Sequence, residues 1–337
     1  MTFAARPLFA GTSGAALAIA HIASPYVSVY EWSNGFGAKY ADPATLPSSD
    51  GYGVAFSPYG NYIGLALFSS PNVAVYPWNG GFGAKYADPA ILPVGSGTAV
   101  SFNPTETAVA VAHAGSPYIS VYPWSSTGFG SKFADPATLP TGIASEVTFS
   151  PDGATIAVAH LNAPAVSTYA WSGAGFGTKY ADPSTLPAGS GDGVAFSPTG
   201  SNIAVTHSLS PYISVYPWSS GFGTKYADPA VLPGNGTTAV TFSPLNNVIA
   251  ITNLFSPYVE AYDWNLGFGS KYANPATLPT GSGRSVAFSP SGSDIAVAHD
   301  TSPYVTAYSW SLGFGAKYAN PSTLPAGDGY GVSWKAS

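Results

Sequence analysis

Apolar and polar side chains alternate in Glu146-Val147-Thr148-Phe149, and Ser150-Pro151-Asp152-Gly153 ends that run with a strong turn signal. Residues 155–160 (Thr-Ile-Ala-Val-Ala-His) form a continuous small-apolar run, which Asn162-Ala163-Pro164 breaks before a third extended segment at 166–171. A glycine-bearing turn leads into 176–180, a fourth segment stopped by Asp182-Pro183 and Leu186-Pro187. Proline cannot donate to a strand ladder, so its positions mark segment ends. No 3.6-residue apolar period appears, and the pattern predicts four short antiparallel strands without helix.

This unit recurs seven times. Trp32, Trp78, Trp124, Trp171, Trp218, Trp264 and Trp310 mark the copies at intervals of 46 or 47 residues. Each Trp is followed by Gly-Phe-Gly (Gly35-Phe36-Gly37 in the first copy), then Lys, an aromatic residue, Ala, Asp or Asn, and Pro. Four strands per unit at this period predict an all-β, seven-bladed β-propeller occupying 1–337 as one domain. The repeats fall at about 13–50, 51–96, 97–143, 144–190, 191–236, 237–282 and 283–328. The tail Asp328-Gly329-Tyr330-Gly331-Val332-Ser333-Trp334 matches Asp50-Gly51-Tyr52-Gly53-Val54-Ala55-Phe56, so 329–335 is expected to close the ring in the N-terminal blade. That would remove the exposed sheet edges. Phe9 is a second claimant for the same slot, and if the tail takes it, 1–12 become a spare arm.

Phe149-Ser150-Pro151-Asp152-Gly153, then Ile156-Ala157-Val158-Ala159-His160, then an aromatic strand ending at Trp171 resemble WD40-type repeats over nearly the whole chain. The chain departs from that pattern where Ser or Asn follows every Trp and no Gly-His pair precedes the first strand, so the family's buried His–Asp network does not carry over. The low-charge, Gly/Ala/Pro/Tyr-rich repeats also resemble WD40-like proteins predicted in tailed bacteriophages, which implies a virion location and a structural or decoration role.

Composition changes the picture in two ways. Only 8% of residues are charged, net −6, and seven of the ten cations are the repeat lysines (Lys39 and its equivalents), five of them three residues before an Asp. No basic stripe exists, which argues against nucleic acid. Gly and Pro are abundant, yet 8 Trp, 22 Tyr and 18 Phe can anchor a large core, so Gly and Pro punctuate strands. Leu17-Ala18-Ile19-Ala20-His21 aligns with Ile156-Ala157-Val158-Ala159-His160, so the apolar N-terminal stretch is read as a strand and not as a secretion signal. No apolar run approaches the roughly 20 residues that span a bilayer, and membrane insertion is not expected.

Candidate chemistry is sparse. His21, His113, His160, His207 and His299 form a column, but equivalent positions on a ring lie too far apart to share a metal, so a core role is expected. Paired carboxylates, a Ser-His-Asp set and phosphate loops are read as absent. The expectations are therefore no catalysis, no cofactor and no metal. Apolar residues in the turns between second and third strands, Phe68, Leu161, Leu209, Leu254 and Phe255, are candidates for contacting other protein subunits of a larger assembly. Tyr26, Tyr118, Tyr212, Tyr258 and Tyr304, each after Ser-Pro in those turns, are candidates for exposed stacking. The expected function is a non-catalytic virion assembly module, with an extracellular carbohydrate-binding propeller lectin as the alternative.

Overall fold

The computed structural model describes residues 14–336. The proposed arm at 1–12, with Phe9, lies outside the described residues. The chain is all-β, with seven blades of four antiparallel strands around one axis. Blades 2 to 7 begin with the inner strands Gly51–Phe56, Gly97–Phe102, Ala144–Phe149, Gly191–Phe196, Thr237–Phe242 and Gly283–Phe288. Blade 1 takes its inner strand from the other end of the sequence. Gly329–Lys335 pairs antiparallel with Ala16–His21, from Ala16 opposite Lys335 to His21 opposite Gly329. The same strand touches the inner strands of blades 2 and 7, which completes the ring.

Burial follows from this arrangement. Second strands such as Ala108–His113 and Thr155–His160 are buried at every position, because a neighbouring blade covers each face of the sheet. They therefore read as continuous apolar runs. Inner strands alternate between buried and half-buried positions, since one set of side chains faces the axis. Trp78 shows how blades lock. Its ring meets Phe82 and Phe56 of its own blade and Tyr40 of the preceding blade edge to face, with centroids 5.0–5.3 Å apart. Such pairs contribute roughly 0.5–1.5 kcal/mol each beyond area burial. At the closure Trp334 takes the inner-strand place, 4.7 Å from Trp32.

Three third strands carry a proline one residue before the Trp: Pro77 and Pro217 end Val73–Pro77 and Ile213–Pro217, and Pro123 alone lies inside its strand, Ile119–Ser125. Their carbonyls accept from Gly83, Gly130 and Gly223 of the fourth strand, so the missing N–H is also on the fourth-strand side. In these blades the fourth strand shrinks to the bridge Trp78–Phe82, the pair Gly128–Phe129 and the bridge Trp218–Phe222. The other four blades carry Glu31, Ala170, Asp263 or Ser309 at that place and keep fourth strands of four or five residues.

Histidine serves the core. His21, His113, His160 and His207 each place Nε2 3.0 Å from a serine hydroxyl seven residues on, and His299 lies 2.9 Å from Thr306. All five rings are fully buried. Blade 6 replaces the pair with Asn253 and Glu260, and Glu260 also receives Gly234 N–H and pairs with Lys271. The repeat lysines of blades 1 to 5 pair with Asp42, Asp88, Asp135, Asp182 and Asp228.

Candidate functional site

Every inner strand carries a β-bulge at the same place. In blade 2, Gly51 lies opposite Leu67 and Gly53 opposite Ala66, leaving Tyr52 extra. The same shift extrudes Thr98, Ser145, Asp192, Thr238, Arg284 and Tyr330. A bulge frees one residue from the ladder and re-aims its side chain. All seven line one axial cavity of about 480 Å³. Small neighbours permit this crowding: a Cβ on Gly53 would lie 3.0 Å from the Ala99 Cα, and on Gly193 3.0 Å from the Ala239 Cα. At that position six blades carry Gly, Ala or Ser, while blade 4 carries Glu146, which also lines the cavity.

The seven bulged residues divide by task. The hydroxyls of Thr98, Ser145 and Thr238 each donate at 2.7 Å to the first carbonyl of the next inner strand, those of Ala144, Gly191 and Gly283. They tie blades together. Tyr52, Asp192, Arg284 and Tyr330 make no such bond and leave their chemistry to the cavity. Tyr52 and Tyr330 stack at 4.8 Å, Phe68 closes on Tyr52 at 5.4 Å, and the Arg284 guanidinium lies 5.2 Å from the Tyr330 ring centre. In ring order this aromatic wall, in blades 1 and 2, stands across the axis from Asp192 in blade 5 and its neighbour Glu146.

Electrostatics separate these groups. Burial pushes the Asp192 carboxyl up to about 7, with no compensating partner. Burial also raises Glu146 to about 7, and the bond it accepts from Val147 N–H at 3.1 Å offsets only part of this. Both side chains keep some surface open to channel water while protein surrounds them, which moderates the cost of charging them without removing it. Arg284 is the one cation among the described residues lining the cavity. Its Nη2 donates to Asp300 at 3.0 Å, and its buried Nε has no partner. For Asp300, burial is outweighed by the Ser282 and Arg284 contacts, and its carboxyl sits below the usual carboxylate range. Two carboxyls able to exchange protons near neutrality, an arginine and two tyrosines in one cavity can run acid–base chemistry on a small polar ligand.

The residues singled out from sequence lie in the turns between second and third strands. Phe68, Leu161, Leu209 and Phe255 are exposed, while Leu254 is half-buried and donates its N–H to Gly236. Phe68 packs on Tyr52, so it backs a cavity-lining residue without itself lining the cavity. Tyr26, Tyr118, Tyr212, Tyr258 and Tyr304 are half-buried, not fully exposed. Each follows a cis Ser-Pro bond at φ of 68–71°, and Tyr118 packs against the core between blades 3 and 4. Sequence reasoning missed Asp192, Glu146 and Arg284. Their visible signal was a charge in columns that are otherwise uncharged.

No protein-family model and no curated protein matches the chain. Solved structures do. A candidate 6-phosphogluconolactonase from Bacteroides uniformis is 16% identical with a TM-score of 0.73, covering 96% of this chain and 100% of that one. A periplasmic gluconolactonase from Pseudomonas aeruginosa is 15% identical at a TM-score of 0.70, with 96% and 99% covered. A protein from Lactobacillus plantarum is 15% identical at 0.72, with 95% and 99% covered. Likeness at this identity shows the shared fold.

The expectation of a non-catalytic phage module, and with it the absence of enzymatic activity, is corrected here. Propellers of this architecture include proteins named as lactonases, and the acid–base set read as missing is assembled from three blades.

Proposed function

We propose that this propeller is a hydrolase that opens a sugar-type lactone in its axial cavity. The observation that carries the reading is the convergence of Asp192 and Glu146, both titrating near 7, with Arg284, Tyr52 and Tyr330. The gluconolactonase names among structures of the same fold support the choice of substrate. Near neutral pH one carboxyl of the pair is ionised and the other protonated in an appreciable fraction of molecules. The carboxylate takes a proton from water as its oxygen adds to the lactone carbonyl. The Arg284 guanidinium, whose side chain keeps surface open, is the available donor for the developing oxyanion through an N–H that Asp300 does not engage. As the ring C–O bond breaks, the carboxylic acid supplies the proton to the leaving oxygen, giving one hydroxy acid per water consumed. The Tyr52–Tyr330 wall gives a sugar ring an apolar face to lie on.

Proton release from glucono-δ-lactone, followed with a pH indicator, tests this reading. Wild-type protein should accelerate opening with a bell-shaped pH dependence centred near 7. Asp192→Asn and Glu146→Gln should each lower kcat/KM by roughly 10²–10⁴-fold, the usual worth of a positioned acid or base. Variants as active as wild type would overturn the assignment.

A further inference from the structure

In blades 2 and 7 the first residue of the turn between second and third strands contacts the bulged residue of the same blade. In blade 2 the first turn residue is Phe68, and it packs on Tyr52. In blade 7 the equivalent residue is Asp300, and it holds Arg284. The other blades place Ile22, Ala114, Leu161, Ser208 and Leu254 there, so the one acid stands opposite the one arginine. Side-chain surfaces of Arg284 and Asp300 are 29% and 22% exposed, and Arg284 lines the cavity, so the pair is open to solvent and not sealed in the core.

We infer that Asp300 is a specificity residue that masks Arg284 against anions, so that the cavity takes an uncharged polyhydroxylated lactone and excludes its phosphorylated counterpart. With Arg284 neutralised, Asp192 and Glu146 leave the cavity negative when ionised. A phosphate dianion entering it meets repulsion and no free cation. Asp300 engages one guanidinium nitrogen, so the part-exposed Arg284 still offers N–H donors suited to a hydroxyl or carbonyl oxygen. This inference rests on the proposed function for the word lactone, but the masking itself does not.

The fold supplies the variant that tests it. Ser208 is the blade 5 counterpart of Asp300, and its Oγ accepts the Ser190 N–H at 3.0 Å as Asp300 accepts the Ser282 N–H at 2.9 Å. Asp300→Ser therefore keeps the turn's hydrogen bond while removing the charge. Titration of wild type, D300S and the double variant D300S/R284Q with inorganic phosphate, by calorimetry, reads the masking directly. D300S should bind phosphate roughly 10- to 100-fold more tightly than wild type, the worth of a charge-assisted contact, and the double variant should lose the gain. D300N, which also preserves the Ser282 bond, should behave like D300S. Equal phosphate affinity in wild type and both single variants would overturn the masking role. So would a gain that survives in the double variant. Failure of the protein to hydrolyse any lactone would overturn the proposed function alone, since the phosphate titration would still decide this point.

Discussion

Replacing Glu146 by Gln should stabilise the protein at high pH and leave it unchanged at low pH. A carboxyl held near 7, against an ordinary glutamate value of about 4.3, corresponds at 1.36 kcal/mol per pKa unit to about 3.5 kcal/mol. Water in the open channel screens part of this, so about 2 kcal/mol is the expected effect. The sign follows from linkage. Below about pH 4.3 the group is neutral in both folded and unfolded chains and imposes no penalty. Between that value and 7 the unfolded chain ionises while the folded one resists, so wild-type stability falls as pH rises, reaching its full loss above 7. Gln does not titrate. The advantage of E146Q over wild type should therefore be small at pH 5, grow through pH 7 and level off by pH 9. Urea unfolding followed by tryptophan fluorescence at these three pH values measures it. Contributions from the buried histidines cancel in the difference. A constant difference across pH, or a wild type more stable at pH 9, would refute the reasoning. The expected trade is the one active sites show, stability given up for reactive groups.

Asp192→Asn should show the same pH-dependent stabilisation in the same assay, because burial alone raises its carboxyl. Burial lowers His160 to about 4, so its contribution is present above about pH 6.5 and lost as pH falls towards 4; H160N, which copies Asn253 of blade 6, should be less sensitive to acid than wild type by about 2 kcal/mol at pH 5 in urea titrations. Trp334→Ala should cost roughly 3–5 kcal/mol in the same titrations, since it empties the inner-strand place beside Trp32 where the ring closes. Phe68→Ser should raise KM for the lactone by loosening Tyr52, whereas Phe255→Ser, exposed on the same rim, should leave kinetics unchanged.

The architecture was legible because seven copies repeat each signal. The all-apolar second strands, the turn at Ser150-Pro151-Asp152-Gly153 and the match of 329–335 to 51–56 each predicted what pairs with what. The site was not legible for a physical reason. A bulge is a relation of register between two strands, and residues such as Tyr52 and Asp192 look in one strand like the polar half of a normal alternation. Asp192 and Arg284 lie two repeats apart in sequence, so no local spacing links them; only ring closure brings them to one axis. The turns between second and third strands could be located from sequence, but the contacts of Phe68 with Tyr52 and of Asp300 with Arg284 could not, since each joins a turn to a bulged residue of another strand. The third-strand prolines show the same limit: Pro77 sits on the fourth-strand side of its sheet, where a missing donor shortens an edge without breaking the blade.

A crystal structure with a bound lactam analogue of the sugar lactone, uncharged and resistant to hydrolysis, tests the central claim most directly. The lactam should lie on the axis, its ring against Tyr52 and Tyr330 and its carbonyl oxygen within hydrogen-bond reach of the Arg284 guanidinium, with Asp192 and Glu146 on the facing side. A lactam held on the opposite rim or the outer edge, with the axial cavity holding only water, would contradict it.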